Sequence, residues 1–385
     1  MNNRCLPGAL CAVAMVLSSL RPLEAQQVRS NAPSATTPPR AARPAPLVSP
    51  EFLPEGGVTF RIRAPKATEV KVSGQFGPEV ALTRGEQGVW SATVPTVPAG
   101  VHEYRFVVDG LAVIDPQNPA VKPQRWPNTS ILHVPANPPE PWDLQEIPHG
   151  TLHEHVYKSR ALNSWRRIVV YTPPGVEKAG KLPVLYLSHG YSDNEASWTV
   201  HGKAHWILDT LIHTKKAKPM IIVMPDGHAI PPGASGFEEY GPANSAALCR
   251  ELVEDIIPLV ESSYKVVTKP NGRAFAGLSM GGHHALTVAL NHHDRFHWIG
   301  AFSSAPPPPQ TVAANGLDKP QAVNRDLRLF WVACGDKDFL FQQNRKFHAL
   351  LDEKGIRHEF VETPGDHSWP VWRRYLVDFT PKLFR

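Results

Sequence analysis

Cysteine is scarce: the 385 residues hold four, and Cys5 and Cys11 fall in the first 25. A disulfide-dense scaffold is thereby excluded. Cys249 lies in a helical stretch and Cys334 in a strand-like run, so two separate buried thiols are expected. Metal-ligand spacings of the H-E-x-x-H or paired C-x-x-C kind are missing. His153-Glu154-His155 is an H-x-H without an evident third ligand and counts as structural. No Gly-rich phosphate loop is present, so neither metal nor organic cofactor is called for. Charge of one sign is also lacking. The formal net charge is +5, of which residues 1–25 carry +1 and residues 26–47 carry +3, leaving a nearly neutral body. No basic face for nucleic acid follows.

Long apolar runs are confined to the N-terminus. Residues 5–20, CLPGALCAVAMVLSSL, follow Arg4 and precede Leu23-Glu24-Ala25. That is the layout of an export signal over 1–25, too short to span a bilayer comfortably. The expectation is a secreted or periplasmic protein with no membrane span after cleavage. What the chain has in plenty is proline, 40 residues, about twice ordinary usage. Residues 26–47 are rich in Pro, Ala, Ser and Thr without apolar period, which fits a disordered tether. Residues 136–150 form a second Pro-rich linker.

Between those joints, residues 48–135 read as short strands. Val58–Arg63, Glu69–Val72, Val89–Val94 and His102–Val108 alternate with period two, the last ending in the turn Asp109-Gly110. Such a series argues for a small all-β sandwich. Trp90 sits in an alternating strand and is expected in its core. Over 151–385 the pattern changes. Apolar runs at 167–171, 184–187, 220–224, 274–276, 298–302, 327–333 and 358–361 alternate with helical candidates near 203–213, 245–260, 280–292, 342–354 and 370–379. Buried strands alternating with helices predict an α/β domain with a largely parallel, doubly covered sheet.

The strongest chemical signal is Gly277-Leu278-Ser279-Met280-Gly281, placed after an apolar strand and before a helix. That context makes G-x-S-x-G a nucleophile elbow: the turn lifts the serine hydroxyl off the sheet and puts the Met280 amide at a helix N-terminus. A serine nucleophile needs a base, and the base an orienting acid, in the chain order Ser, Asp or Glu, His. Asp336 and Asp338 follow the strand at 327–333, and His367 follows the one at 358–361. Asp338 is preferred as the acid and His367 is the base. Leu185–Tyr191 puts an apolar strand before His189-Gly190, so the Tyr191 amide is the candidate second oxyanion donor. Trp198, Trp369, His283 and the Pro306–Pro309 loop are candidates for the substrate pocket. His283, His284, His292 and His293 are read as surface or pocket-lining residues.

These residues resemble the feruloyl and acetyl-xylan esterase family of carbohydrate esterases, which includes enterochelin esterase-like and mycolyltransferase-like branches. The likeness rests on Val170–Gly175, Pro183–Gly190, Lys218–Pro225, Gly277–Gly282, Ala301–Ala305, Ala333–Asp338 and Pro364–Trp369, in order across 150–385. It implies an α/β-hydrolase fold and a Ser279–His367–Asp338 triad with Met280 and Tyr191 as oxyanion hole. Residues 50–135 are similar to the immunoglobulin-like early-set domain often fused in front of such enzymes, itself related to glycogen-binding modules. Asp109-Gly110 and Asp115–Pro119 carry that part. Two departures stand out: the family favours a small residue where Asp336 stands, and small or amide residues where His283 and His284 follow the elbow. The expected partner is an ester substrate, with a polysaccharide-linked ester as one form of it. An enterochelin-type siderophore esterase and a non-catalytic glycan-binding body are the alternatives; oligomeric state and the acyl group stay open.

Overall fold

The computed structural model describes residues 46–54, 56–231 and 236–385. The leader expected at 1–25 and all but the end of the tether at 26–47 lie outside these residues. Alternating side chains build the first part. Strands β1 (Glu51–Phe52), β2 (Val58–Arg63), β3 (Val70–Gly74), β4 (Gly77–Ala81), β5 (Thr83–Arg84), β6 (Val89–Val94), β7 (Gly100–Val108), β8 (Leu111–Val113) and β9 (Ser130–Val134) form two antiparallel sheets. One runs β1-β2-β6-β5 and the other β4-β3-β7-β8, with β9 also on β7. Phe60, Ile62, Val72, Trp90, Tyr104 and Phe106 pack between them. Trp90 is core, its indole N–H donating to the Ala64 carbonyl at 2.9 Å. The Asp109-Gly110 turn has both residues at positive φ (47° and 85°), the backbone twist a tight hairpin between β7 and β8 needs. Asp115 is the pin of its motif: buried, it accepts from the hydroxyls of Ser49 (2.6 Å) and Tyr104 (2.8 Å).

The second part is an eight-stranded sheet in the order β10-β11-β13-β12-β14-β15-β16-β17. Its strands are β10 (Thr151–Ser159), β11 (Ser164–Thr172), β12 (Val184–Ser188), β13 (Ile221–Pro225), β14 (Arg273–Leu278), β15 (Trp298–Phe302), β16 (Leu329–Gly335) and β17 (Glu359–Thr363). The first two join antiparallel; from β13 onward every pair is parallel. The central strands are buried end to end because both faces are covered. Val184, Tyr186, Ile221, Val223 and Phe275 face one apolar layer; Leu185, Leu187, Ile222, Met224 and Ala276 face the other. The chain leaves β12 toward β13 on one side and returns to β14 on the other. The carboxyl ends of β12 and β14 therefore flank the point where strand order reverses, the usual crevice in open α/β sheets.

Helices α1 (Ser197–Val200), α2 (Ala204–His213), α3 (Phe237–Glu251), α4 (Ile257–Ser263), α5 (Met280–Asn291), α6 (Pro320–Asp326), α7 (Phe341–Glu353) and α8 (Trp369–Phe379) cover the sheet. The single helix expected at 245–260 is instead α3, a wide π turn over Leu252–Ile256, and α4. Pro258 is the reason: it has no N–H to offer the Glu254 carbonyl. Arg160 takes that carbonyl at 2.5 Å, and the Asp255 carboxylate accepts from the Ser159 hydroxyl and the Ala161 amide. The Pro-rich stretch at 136–150 is tied down rather than loose. Buried Asp143 binds His133 and the amides of Ala136 and Glu140. Asp209 of α2 accepts from the Gly150 amide and the Tyr171 hydroxyl. Cys249 and Cys334 are both free and buried.

Candidate active site

The elbow is built by exclusion of side chains. A Cβ on Gly277 would stand 2.5 Å from the Gly281 carbonyl oxygen, and one on Gly281 would stand 2.5 Å from that of Ser188. Only with both bare can α5 approach β14 and β12 this closely. Ser279 between them is held at φ 52° and ψ −110°, a strained setting for a non-glycine residue. Its amide donates to the Phe302 carbonyl at 2.8 Å, and its own carbonyl accepts from the His283 amide at 3.0 Å. α5 is buried nearly all round, so the serine rides on a rigid element.

His367 lies on the loop between β17 and α8. Its Nε2 stands 3.0 Å from Ser279 Oγ, and its Nδ1 stands 2.8 and 3.0 Å from the two oxygens of Asp338. The Nδ1 proton goes to the carboxylate, which leaves Nε2 to accept from the hydroxyl. Asp338 is buried and also accepts the Leu340 amide at 2.8 Å. Burial pushes its carboxyl upward, but the bonds from His367 and Leu340 outweigh this and hold it below the usual range. Asp336 is elsewhere: it accepts the Gly365 amide at 3.0 Å and fixes the loop that carries His367. Asp366 accepts the hydroxyl of Ser368. The imidazole of His367 is packed between Phe339 (ring centres 4.4 Å apart) and Trp372 (4.9 Å).

The loop after β12 abuts the serine. A Cβ on Gly190 would lie 3.6 Å from Ser279 Cβ. Tyr191, in that loop, lines a cavity together with Ser279, and Met280 is the first residue of α5. Two cavities meet at Ser279 and share Tyr191 and Phe339. The larger, about 900 Å³, is mainly apolar, with Phe237, Pro306–Pro309, Leu340 and Phe347 among its walls. The smaller, about 350 Å³, is more polar and takes part of its wall from the sandwich through Gln75, Glu103 and Lys122.

Of the pocket candidates, His283 lines the larger cavity and Trp369 the smaller. Trp198 does not reach either. It is 1% exposed, donates its indole N–H to the Ser188 carbonyl at 3.0 Å, and packs edge-on against Trp369. An aromatic ring that large is worth more under the sheet end than at its rim. His284 is not a surface or pocket residue either; it is fully buried behind the elbow, bonded to Ser188 Oγ (3.1 Å) and Asn244 (3.1 Å). Its burial drives its pKa well down, so it is a neutral strut. Sequence reasoning missed Phe339, although its place directly after Asp338 at a strand end was a signal. It also missed Gln75, Glu103 and Lys122, for which no local pattern exists.

Residues 159–383 match the Esterase family model, and residues 48–121 match that of carbohydrate-binding module 48, the isoamylase N-terminal domain. An endo-1,4-beta-xylanase/feruloyl esterase of Xylanibacter ruminicola is 31% identical over 343 residues, which is 86% of this chain and 45% of that relative. The chain therefore spans under half the length of that protein. A ferulic acid esterase of Anaeromyces mucronatus, solved with ferulic acid, is 25% identical with a TM-score of 0.55, over 63% of this chain and 93% of that one. The enterobactin esterase of Shigella flexneri, 20% identical, superimposes over 85% of this chain and 93% of its own with a TM-score of 0.59, a likeness of fold.

Proposed function

Because the chain belongs to the Esterase family, we propose that it is an exported serine esterase that removes feruloyl or acetyl groups from plant cell-wall polysaccharide such as xylan. The observation that carries this is one imidazole within 3.0 Å of a strained serine hydroxyl and 2.8 Å of a buried carboxylate. His367 Nε2 takes the Ser279 proton as Oγ attacks the ester carbonyl carbon. The carbonyl electrons move onto oxygen, and the N–H groups of Met280 and Tyr191 donate hydrogen bonds to that oxyanion. Asp338 stabilises the imidazolium and fixes its tautomer. The imidazolium then gives its proton to the departing alcohol, and an acyl group stays on Ser279. Water, deprotonated by the same nitrogen, attacks the acyl carbon, and the acid leaves as Ser279 Oγ takes that proton back from His367.

The two cavities suit the two halves of such an ester. The larger one suits an aromatic acyl group, and the smaller, with Gln75, Glu103 and Lys122 in its wall, suits a sugar alcohol. The naming of the Xylanibacter relative as a xylanase/feruloyl esterase and the ferulic acid bound to the Anaeromyces enzyme support this choice of substrate. A siderophore esterase calls for several basic residues around an anionic iron chelate. Among the described residues lining the larger cavity, Lys346 is the lysine or arginine present. The module-48 match supports glycan contact by the sandwich as part of the same proposal.

The test is Ser279→Ala against wild type on methyl ferulate, acetylated xylan and p-nitrophenyl acetate, with fluorophosphonate labelling in parallel. Wild type is expected to hydrolyse at least one ester and to be labelled at Ser279, and the variant to lose both. Hydrolysis that survives the substitution overturns the proposal. No labelling at Ser279 together with no turnover on any ester supports the non-catalytic alternative.

A further inference from the structure

The turn that carries Tyr191 is held from outside its own domain. Within it the Asp193 amide donates to the Gly190 carbonyl at 3.2 Å. The sandwich's segment 122–126 lies along its open side. Gln124 and Asp193 pair as an antiparallel bridge, and the Arg125 amide donates to the Ser192 carbonyl at 2.9 Å. The Ser197 hydroxyl donates to the Pro123 carbonyl at 2.7 Å. Above the bridge, the Arg125 guanidinium sits 4.9 Å from the centre of the Tyr191 ring and 4.2 Å from that of Trp126.

Under the turn lies a buried charge group shared by both domains. The Asp193 side chain is 3% exposed, and among the described residues its Oδ1 has no hydrogen-bond partner. Lys122 Nζ stands 3.8 Å from that oxygen and 2.9 Å from Glu103 Oε1. The second Glu103 oxygen accepts the Thr129 hydroxyl at 3.0 Å. Burial raises the Asp193 carboxyl, and Lys122 is the first of the groups that oppose this. A carboxylate stripped of its one close ammonium in such a place is strongly unfavourable. The turn must then shift to reach water or take up a proton. A shift of the turn moves the peptide two residues upstream, which is Tyr191, and a proton taken up by Asp193 removes the charge that draws Lys122 to the turn.

We propose that the sandwich is part of the catalytic apparatus, with Lys122 acting through Asp193 to hold the Tyr191 amide where the oxyanion forms. Lys122 and Arg125 are positioning residues. The proposal rests on the assignment of Ser279 as nucleophile and Tyr191 as oxyanion donor. It says that the front domain sets turnover on small esters that contain no sugar for a glycan-binding surface to hold.

The experiment uses the full mature chain and methyl ferulate. Lys122→Met, Lys122→Arg, Asp193→Asn and the Lys122→Met/Asp193→Asn pair are compared for kcat, KM, affinity for an arylboronic acid, and affinity for free ferulate. The boronate becomes tetrahedral on the serine and uses the oxyanion hole; ferulate does not. Lys122→Met is expected to lower kcat about 10- to 100-fold, below the full loss of one donor, with KM within about twofold. Boronate affinity should fall by a similar factor while ferulate affinity holds. Lys122→Arg should restore most of the loss, and Lys122→Met should cost much less when Asp193 is already Asn. Unchanged kcat in a folded Lys122→Met, or a change in KM alone, overturns the proposal; the latter would make Lys122 a substrate contact of the smaller cavity. If Lys122→Met does not fold, half-exposed Arg125→Ala carries the test, with a kcat loss of about threefold or more expected and none overturning it. Failure of the serine assignment would appear separately, as hydrolysis by Ser279→Ala.

Discussion

Asp336 and Asp338 lie two residues apart and belong to different structures. Asp338 holds the Nδ1 proton of His367; Asp336 holds the backbone of Gly365 in the loop that delivers it. Asp338→Asn replaces an acceptor with a group that also donates, which favours the wrong imidazole tautomer, and kcat should fall on the order of 10³–10⁴. Asp336→Asn keeps an acceptor for the amide and should cost under about tenfold. Steady-state kinetics of the two variants check this, and an equal loss would mean that the catalytic acid has been misassigned. Phe339 is 74% exposed yet packed at a tilt against His367 and shared by both cavities. Phe339→Ala should raise KM for feruloyl esters several-fold while acetyl esters change little, as measured side by side. The positions of Ser279, Asp338 and His367 were legible because each sits in a short stretch whose chain order is fixed by sheet topology. Phe339 and Trp198 were harder, since one aromatic at the rim and another beneath it have the same local signature until burial separates them.

At the scale of elements, the sequence marks strands through β-branched and apolar runs, and those of the central sheet were readable within a few residues. Edge strands other than β17 were not. β10 alternates exposed and half-buried residues over Thr151–Ser159, and β4, β5 and β8 expose most of theirs. Their pairing depends on neighbours far along the chain. The elbow is the element on which the site stands, and its glycines are a steric demand. Gly281→Ala would drive a methyl group to 2.5 Å from the Ser188 carbonyl oxygen, with backbone on both sides. The cost should be about 3 kcal/mol, seen as a melting temperature lower by roughly 5–10 °C, and activity should be lost with it. A melting curve that does not move would mean α5 can slide away from β12. The 136–150 stretch, read only as a Pro-rich linker, owes its order to a contact that no local pattern displays: Asp143 gathers two amides and His133 into one buried carboxylate. Asp143→Ala leaves those donors unpaired and should cost about 2 kcal/mol, measurable as a lower urea midpoint at constant slope.

Across the whole molecule, histidine burial sets a pH limit that no single motif displays. Burial lowers His205 to about 3 and His228 to about 4, with neighbouring cations adding to both shifts, and burial alone lowers His283 to about 4. His201 and His284, fully buried, are held well down as well. In the unfolded chain each of these rings takes a proton near pH 6.5. The unfolded state therefore binds more protons than the native state between about pH 6.5 and each folded value, and stability falls as pH drops through that window. Each ring withdraws at most about 1.4 kcal/mol per pH unit once its unfolded form is protonated. Several together outweigh the opposite sign of His189, which is buried but raised by the Asp226 carboxylate, and of His149 beside Asp209. Asp338 adds a loss only further down, because its lowered carboxyl stays ionised until more acid conditions are reached. Urea unfolding at pH 7.5, 6.5, 5.5 and 4.5 should show a plateau above neutrality and a midpoint that falls steeply below pH 6. Replacing His284, bonded between Ser188 and Asn244, by Gln keeps polar atoms at both ends and removes one titrating ring. The variant should start lower at pH 7.5 and lose less on acidification. If its pH slope matches wild type, the acid lability arises from other groups and the buried imidazole behind the elbow is not part of it.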